Sequence, residues 1–476
     1  MREKLASFQE PLTAALLHAI RHLSPASTPS VAATATLDTL RTKLSLPLGE
    51  LGVDATVVID DLVKGAEGGI IDSAGPCFFG WVIGGSLPAA LAADWLTSAW
   101  DQNAGMYACS PAAAVVEEVA GAWLKDLLHL PPTASFALVT GCQMAHVTCL
   151  LAARHALLAR LQWDVEMEGL AGSTPIRILT STEIHGTTVR AIRLLGLGQK
   201  RIVSLPVGPD GRLHEETLVE ALEISPSQPT IVVLQAGDLN MGAFDDFATL
   251  IPIAKKYGAW VHVDGAFGLW CAATPRLRHL LDGAEGADSW ATDGHKWLNV
   301  PYDCGYAFVA DFEAHRASLS HRAAYLTHAE DARDEIEWNP EWSRRARGFA
   351  TYAALRQLGR QGVADLIERT CDHAHALVTR IGALDGAEVA WEPQINQGMV
   401  RFIDPREGAS AADSDAFTDR IMAEILASGE AFFTGTTWRG RRAMRVSVCN
   451  WQTSAKDVDR VVASVDRTLR AARGKQ

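Results

Sequence analysis

The sequence predicts an α/β protein built on a mainly parallel sheet with helices on both faces. Two observations support this class. From about residue 134 onward, short β-rich runs alternate with helical stretches, and these runs are apolar throughout. A strand that is apolar on both sides needs cover on both faces of its sheet, and helices between parallel strands provide that cover.

The predicted elements follow in chain order. Residues 1 to about 75 are predicted to be mostly helical, with a Ser/Pro/Thr-rich loop at 24–30. A further helix is predicted within 110–132, because Ser110 can cap it, Pro111 suits its first turn and apolar residues recur at helical spacing. Strands are then predicted at 134–140, 176–181, 201–207, 230–237, 259–266 and 305–311.

The rest of the chain changes character after about residue 345. It becomes α+β, with strand-like segments at 398–404 and 443–450 and a last helix from about 454. A chain of 476 residues is too long for one small core, so two or three domains are expected. We predict an N-terminal helical segment, a large domain and a small α+β domain at 1–75, 76–345 and 346–476.

Composition argues against several classes of function. The net charge of −13 disfavours nucleic acid as a main partner. The eight cysteines form no CxxC pair and are expected to be free thiols in a reducing compartment. The amphipathic N-terminus does not resemble a signal peptide, and no run approaches the ~18 apolar residues of a membrane span. We therefore expect no membrane partner and a cytoplasmic location.

Chemically active residues follow several of the predicted strands. Segment 141–143 comes after the first strand and opens a long helix, where a glycine turn and free N–H groups can hold an anion. His185 follows the second strand, Asp264 ends the fifth, and Lys296 lies in TDGHKW between two apolar runs. Ligands of open α/β sheets bind at the carboxyl ends of strands, so we expect these groups to meet at one edge.

Pyridoxal phosphate is a cofactor that uses all four groups. Its phosphate needs an N–H cradle, its aldehyde needs a lysine amine, and its ring nitrogen needs a carboxylate that keeps it protonated. A flat ring also gains from a stacked partner. Taken alone, each residue has an ordinary explanation: Asp264 as a strand-end cap, Lys296 as a solvated lysine and His185 as a structural histidine. Their order and placement together favour the cofactor.

Four stretches carry a resemblance to a known family. They are VTGCQMAHVTCLLAARHALL, EIHGTTVRAIRLLG, AWVHVDGAFG and DSWATDGHKWLNVPYDCG. They resemble the group II pyridoxal-phosphate-dependent amino acid decarboxylases, which include the aromatic amino acid and glutamate decarboxylases. The similarity runs from about residue 75 to the end of the chain. It implies fold type I, with a seven-stranded central sheet, and a homodimer whose active site lies at the subunit interface.

The resemblance also implies residue roles. Lys296 would hold the cofactor aldehyde as an imine, Asp264 would pair with the pyridine nitrogen, and His185 would stack on the ring. Further cofactor contacts are expected from Gly141, Cys142, Gln143, His295, Asn240 and Ala266. Asn103 occupies a region that contacts substrate in relatives, and aromatic residues such as Phe79 and Trp81 favour an aromatic or bulky apolar amino acid. Residues 1–75 would form the dimerisation segment and 76–345 the cofactor-binding domain.

Proton return to the substrate α-carbon leaves alternatives open. Relatives use a tyrosine on a loop over the site; here the loop is expected at 318–345, with Tyr325 as its tyrosine and His321 or His328 as other donors. Without that proton transfer, oxidative deamination to an aldehyde becomes the alternative outcome. An aminotransferase would share the fold and would need an arginine for the substrate carboxylate, with candidates at Arg439, Arg441, Arg442 and Arg445.

Two weaker alternatives complete the hypotheses. A non-catalytic relative would keep the fold, but the intact Lys296, Asp264 and His185 argue against it. A metal enzyme could use His262 with Asp264, or the pair His373 and His375, but no third ligand lies near in sequence. We predict no metal site.

Overall fold

The computed structural model describes residues 7–24, 30–321 and 332–474. The helices in these ranges are α1 (Gln9–Leu23), α2 (Leu37–Leu44), α3 (Ala55–Ala66), α4 (Pro88–Trp100), α5 (Pro111–Leu127), α6 (Cys142–Ala159), α7 (Val165–Glu168), α8 (Gly186–Leu194), α9 (Glu215–Glu223), α10 (Phe247–Lys256), α11 (Phe312–Leu319), α12 (Gly348–Gly382), α13 (Ala411–Ser428) and α14 (Ala455–Gly474). The strands are β1 (Ser135–Val139), β2 (Arg177–Ser181), β3 (Ile202–Leu205), β4 (Thr230–Gln235), β5 (Trp260–Asp264), β6 (Ser289–Asp293), β7 (Gly305–Val309), β8 (Ala387–Trp391), β9 (Gln397–Phe402), β10 (Thr434–Trp438) and β11 (Arg441–Ser447).

Seven strands form the large sheet in the order β1-β7-β6-β5-β4-β2-β3. Strands β2 to β6 pair in parallel, whereas β7 runs antiparallel to both β1 and β6. The predicted fold class, a mainly parallel seven-stranded sheet with helices on both faces, is confirmed. Each predicted strand of this region contains an observed one. Strand β6 was not predicted, because SWATD offers only two apolar residues and no alternation.

Side chains of the central strands alternate between two apolar cores. In β5, Val261 and Val263 belong to the core that packs under α10 and α12. Trp260 belongs to the opposite core, which contains much of α6 and α8. Because side chains of a strand alternate with period two, His262 and Asp264 lie on the same face as Trp260. This alternation directs the polar residues of β5 toward α6.

A second, fully antiparallel sheet follows in the order β10-β11-β9-β8. It shares an apolar core with α12, α13 and α14, and this core also includes Phe78 and Phe79. The two late strand predictions and the last helix are confirmed. Strands β8 and β10 were not predicted. Both lie at the edges of this sheet, their residues are partly exposed, and neither contains a strong apolar run. The domain boundaries at 75 and 345 stay predictions.

The N-terminal helices carry little core of their own. Neither α1 nor α2 contains a buried residue, and α1 contacts α3 through a 2.8 Å contact between His18 Nε2 and Asp60 Oδ1. Of the predicted loop at 24–30, residues 25–29 lie outside the described residues. None of the described helices combines the length and hydrophobicity that crossing a bilayer requires.

The predicted N-cap residue of α5 has an unusual geometry. Ser110 does occupy the N-cap position, but its side chain makes no capping hydrogen bond. Its ψ of 78° departs from the extended backbone that usually aims a cap hydroxyl at the first turn. The hydroxyl is buried without a hydrogen-bond partner among the described residues.

Candidate active site

The carboxyl ends of the central strands bring the predicted residues to one edge of the large sheet. Strand β5 ends at Asp264 and β6 ends at Asp293. The antiparallel β7 begins at this same edge, where Gly305 pairs with both Asp293 and Val139. Two residues beyond Val139 lies Gly141, which opens α6. The start of α6 and the ends of β5 and β6 therefore lie together at this edge of the sheet. This is where open α/β sheets bind their ligands.

Lys296 lies directly beside a carboxylate that sequence reasoning missed. Its Nζ is 3.1 Å from Asp293 Oδ2, and the Asp293 side chain is almost fully buried. Burial disfavours the ammonium form, but the carboxylates of Asp293 and Asp264 outweigh it, so the pKa of Lys296 is raised. The ring of Phe267 lies 5.9 Å from Nζ. Lys296 is therefore a partly buried cation held by an ion pair, and the surface explanation does not apply.

Asp264 is held in place by two hydrogen bonds and by a close contact with a histidine. The hydroxyl of Thr188, in α8, donates to Oδ2 over 3.0 Å. The backbone N–H of Ala266 donates to Oδ1 over 3.3 Å, and His146 Nε2, from α6, lies 3.5 Å from Oδ2. Thr188 and His146 were not predicted, because each sits inside a helix and meets Asp264 only through the tertiary fold.

A line of neutral groups extends behind Asp264 into the core. His146 Nδ1 is 2.9 Å from His262 Nε2, and His262 Nδ1 is 2.9 Å from Ser289 Oγ. Ser289 Oγ also accepts a hydrogen bond from the indole N–H of Trp260. Burial lowers the pKa of both histidines, that of His262 to about 3, so both rings are neutral near pH 7. When the Ser289 hydroxyl donates to His262 Nδ1, the Nε2–H of His262 donates to His146 Nδ1, and the Nε2–H of His146 faces Asp264.

The charge state of Asp264 follows from these surroundings. Burial alone raises the pKa of a carboxyl group, but the imidazoles of His146, His185 and His262 and the ammonium of Lys296 outweigh it, and the pKa of Asp264 is lowered. The carboxylate is therefore ionised throughout the neutral range, as a partner for a protonated ring nitrogen must be.

The first turn of α6 forms an anion cradle, defined here as the backbone N–H groups of Cys142 and Gln143. The first N–H groups of a helix have no intrahelical acceptor and attract negative charge. Gly305 is needed at this point, because a Cβ there would lie 2.5 Å from Cα of Gly141 and 2.9 Å from the Cys142 nitrogen. The Cys142 N–H donates to Asp293 Oδ1 over 2.5 Å.

His295 borders the same cradle. Its Nδ1 accepts a hydrogen bond from the Cys304 N–H over 3.1 Å, so a neutral ring carries its proton on Nε2. That Nε2 lies 3.5 Å from Asp293 Oδ1, and the ring of Tyr302 stacks on the imidazole with centroids 4.4 Å apart. Burial lowers the pKa of His295, which favours the neutral ring.

His185 caps α8 above the site. Its Nδ1 accepts from the Thr187 N–H and lies 2.7 Å from the Thr187 hydroxyl, while the ring keeps an exposed surface. Surrounding protein lowers the pKa of His185 by desolvation; Asp264 opposes this effect and Lys296 adds to it. A neutral, partly exposed ring next to Asp264 and Lys296 is suited to stack on a planar ligand.

The loop that carries Lys296 is tied to two distant segments by Asn299, another residue that sequence reasoning missed. Its fully buried Oδ1 accepts the N–H groups of Gly85 and Trp451, and its Nδ2 donates to the Cys449 carbonyl. Asn299 has a φ of 56°, a conformation that asparagine tolerates better than most residues. Gly84 packs so closely that a Cβ there would clash with the Lys296 carbonyl oxygen.

Asn240 lies on the opposite side of the edge from the cradle. Its Oδ1 accepts from the Thr436 hydroxyl over 3.1 Å, and its N–H bonds to Asp238. The neighbouring turn contacts Arg445, whose Nη2 donates to the Leu239 carbonyl and to Gln397 Oε1. Burial lowers the pKa of Arg445 to about 10, and its electrostatic influence reaches His185.

The other candidate arginines face elsewhere. Arg442 pairs with Asp419 at 2.7 Å, Arg439 donates to the Pro209 carbonyl, and Arg441 is exposed. Of these arginines, Arg445 alone is buried.

The three residues predicted to contact substrate have different surroundings. Asn103 Oδ1 accepts from the N–H groups of Gly105 and Arg344, so its carbonyl oxygen is used within the chain. Phe79 is fully buried and stacks on Phe433 at 5.3 Å between centroids. Trp81 is 51% exposed and lies three residues before Gly84. Their roles toward substrate stay predictions.

The predicted catalytic tyrosine belongs to the loop expected at 318–345. Tyr325 and His328 lie outside the described residues. Trp338, within the segment predicted as this loop, is buried against His315 and Arg333 and serves as core packing.

One group of side chains has the composition of a metal site. The ligand atoms of Cys142, His146 and Asp264 lie within 4.8 Å of one another. Burial raises the pKa of the Cys142 thiol well above its usual range, which disfavours the thiolate that a metal ion needs. The hydrogen bonds described above account for His146 and Asp264.

Comparison with known proteins identifies the family. The model of the pyridoxal-dependent decarboxylase conserved domain matches residues 51–403. Tryptophan decarboxylase 1 of Oryza sativa subsp. japonica is 29% identical over 416 residues, which cover 82% of this chain and 80% of that protein. L-2,4-diaminobutyrate decarboxylase of Rhizobium meliloti (strain 1021) is 28% identical over 388 residues, covering 80% and 75% respectively.

The fold agrees with this result. The crystal structure of Oryza sativa TDC with PLP and tryptamine superposes with a TM-score of 0.90 at 24% identity, over 97% of each chain. The observed edge also fits pyridoxal phosphate, because it combines a lysine, an ionised buried carboxylate and the N–H groups of a helix N-terminus. The chain belongs to the pyridoxal-dependent decarboxylase family and is a pyridoxal-phosphate-dependent amino acid decarboxylase.

Proposed function

We propose that the enzyme decarboxylates an L-amino acid with an aromatic or bulky apolar side chain, releasing the amine and carbon dioxide. The observation that carries this proposal is the convergence of Lys296, Asp264 and the anion cradle on one edge of the sheet. The aromatic preference is supported by Trp81, which is half exposed and packs with Phe78 and Phe432 at centroid distances of 5.9 and 5.2 Å. The tryptophan decarboxylase relative also supports it.

Each residue then has a physical role toward the cofactor. Lys296 would carry the cofactor covalently through Nζ, and the cradle with His295 would hold the phosphate. Asp264 would keep the ring nitrogen protonated, while Thr188 and His146 hold the carboxylate in place. When bound, pyridoxal phosphate draws off the electron pair left on the substrate α-carbon as carbon dioxide departs. His185 would cover the open face of the ring, and Asn240, Ala266 and Gly141 would border it.

Arg445 is the best-placed cation for the substrate carboxylate in this proposal. It is 4% exposed, and its Nη2 contacts are neutral oxygens of Leu239 and Gln397 rather than carboxylates. The carboxylate of Asp238 acts on this guanidinium electrostatically, but no carboxylate among the described residues forms an ion pair with it, so it can still bind an anionic ligand. Tyr325 remains the predicted proton donor to the α-carbon.

A panel of amino acids tests the proposed reaction. We expect tryptophan, tyrosine or phenylalanine to give amine and carbon dioxide in equal amounts, with kcat/KM at least about tenfold above L-2,4-diaminobutyrate, glutamate and aspartate. Carbon dioxide, amine, aldehyde, ammonia, peroxide and keto acid would be measured together. Preference for an acidic or diamino substrate would overturn the aromatic assignment. Equal yields of aldehyde, ammonia and peroxide, with consumption of oxygen, would show that the enzyme carries out oxidative deamination rather than decarboxylation to the amine.

We further propose a homodimer whose N-terminal helices pack on the partner, with the active site at the interface. On α1, the apolar residues Leu12, Leu16, Leu17, Ile20 and Leu23 are 41–59% exposed in the single chain. An exposed apolar stripe of this kind indicates an unfilled contact surface. A cytoplasmic location belongs to the same proposal and is supported by the absence of disulfides among the described cysteines.

Substitution on α1 tests the dimer. We expect the unmodified chain to elute at twice the mass of one chain, and Leu16→Glu with Ile20→Glu to shift it toward the monomer, because charges on an apolar contact surface disfavour burial. Size-exclusion chromatography with light scattering measures this. Met167→Glu with Ile224→Glu is the matched control, since both residues are exposed apolar side chains on the large domain. A monomeric unmodified chain that binds cofactor fully would contradict the proposal.

A further inference from the structure

Asp293 occupies the position that an anionic ligand of α6 would take. Its Oδ1 accepts the Cys142 N–H over 2.5 Å, and its Oδ2 lies 3.1 Å from Lys296 Nζ. His295 Nε2 lies 3.5 Å from the same Oδ1. One carboxylate thus contacts the helix N-terminus, the lysine and the imidazole that border the cradle.

The position of Asp293 is set firmly by its own backbone. Its N–H donates to the Ala266 carbonyl, and its carbonyl accepts the indole N–H of Trp270. As the last residue of β6, it also pairs with Gly305 in β7. These backbone contacts hold the Cα of Asp293 at the edge of the sheet, beside the start of α6.

A carboxylate here conflicts with a phosphate. One N–H cannot donate at full strength to two anions, and like charges a few ångströms apart in a partly buried site repel strongly. An uncharged residue at position 293 would accept the same N–H without this repulsion. This repulsion weakens binding of the cofactor's phosphate group and does not affect its aldehyde.

We propose that Asp293 is an internal substitute for the cofactor phosphate, which holds the cradle and neutralises Lys296 in the cofactor-free enzyme and opposes the phosphate when the cofactor enters. The inference rests on the proposed placement of the phosphate at α6. Asp293 acts as a positioning residue: it keeps the empty site ordered and lowers the affinity for the phosphorylated cofactor.

Paired titrations of cofactor-free enzyme with pyridoxal 5′-phosphate and with pyridoxal, which lacks the phosphate, test this proposal. Binding is followed by the visible absorbance of the lysine-bound aldehyde, which needs no substrate. We expect Asp293→Asn to raise the affinity ratio of the phosphorylated to the unphosphorylated aldehyde by at least about tenfold. Any effect of the substitution on Lys296 acts on both aldehydes and cancels in the ratio.

Inorganic phosphate gives a second readout without the aldehyde. It should raise the melting temperature of cofactor-free Asp293→Asn more than that of the unmodified enzyme, because ligand binding to the folded state stabilises it. Asp288→Asn is the matched control. Asp288 also accepts a backbone N–H, from Val261, and pairs with a lysine, Lys255, but it lies at the opposite end of these strands.

The outcomes separate the inference from the placement on which it rests. A ratio that rises as expected supports both. Equal changes for both aldehydes would show that Asp293 acts through Lys296 alone and would overturn the competition with phosphate. A ratio that falls would show that Asp293 helps to bind phosphate, and no change for either aldehyde would place the cofactor away from this edge.

Discussion

Lys296→Ala abolishes covalent retention of the cofactor and lowers the decarboxylation rate by at least about a thousandfold. The reason is that Lys296 is the lysine beside Asp293 and Asp264 at the site edge, and its raised pKa reflects those two carboxylates. The measurement is the visible absorbance of the purified protein after dialysis, together with steady-state rates.

The pH dependence of cofactor attachment follows from the raised pKa of Lys296. Only the neutral amine of Lys296 attacks an aldehyde, and a raised pKa keeps the ammonium form dominant near pH 7. Attachment to cofactor-free enzyme should therefore become faster as pH rises toward the pKa of Lys296. Lys255→Ala is the control for the loss of a lysine paired with an aspartate. Visible absorbance that survives Lys296→Ala without added amine would show that another lysine carries the cofactor.

The second large effect is expected for Asp264→Asn. Asparagine keeps the shape and one acceptor oxygen, so it can accept either the Thr188 hydroxyl or the Ala266 N–H but not both, and it carries no charge to hold the ring nitrogen protonated. We expect kcat to fall by about a hundred- to a thousandfold, the range seen when one group that stabilises transition-state charge is removed. Protein folding and cofactor attachment through Lys296 should be retained.

Rates and cofactor spectra of the variant would be measured from about pH 6 to pH 8, where groups with ordinary histidine pKa values titrate. Because the pKa of Asp264 is lowered, the carboxylate of the unmodified enzyme stays charged across this range, and the loss should not depend on pH. Thr188→Ser serves as a conservative control, since serine keeps the hydroxyl that donates to Asp264. A variant with nearly normal kcat would remove Asp264 from the proposed role.

The fold class followed from local pattern, because apolar strand runs separated by helices are visible without tertiary contacts. Asp264 was predictable for a related reason: it ends an apolar run, so the strand-end rule locates it. Lys296 was recognised from the segment TDGHKW, which lies between two apolar runs. His262 was seen to share a face with Asp264, but its partners Ser289 and His146 come from other elements. No sequence spacing connects them.

Asp293 was missed for a specific physical reason. The run SWATD lacks the continuous apolar character of the other central strands, so β6 was not recognised and its last residue had no assigned place. Asn299 was missed because a buried side chain that joins residues 85, 449 and 451 leaves no local signature. Residues that bridge distant segments can be identified only from the tertiary structure.

The ends of β5 and β6 have an evolutionary consequence. Asp264 and Asp293 are the last residues of two strands in a rigid sheet, whereas Trp81, Asn103 and Arg445 belong to segments outside that sheet. Mutations that remodel the surroundings of a substrate side chain can therefore accumulate without disturbing the shared chemistry. A single ancestral scaffold can diversify in this way into enzymes for tryptophan and for diaminobutyrate, the substrates named for two relatives of this chain.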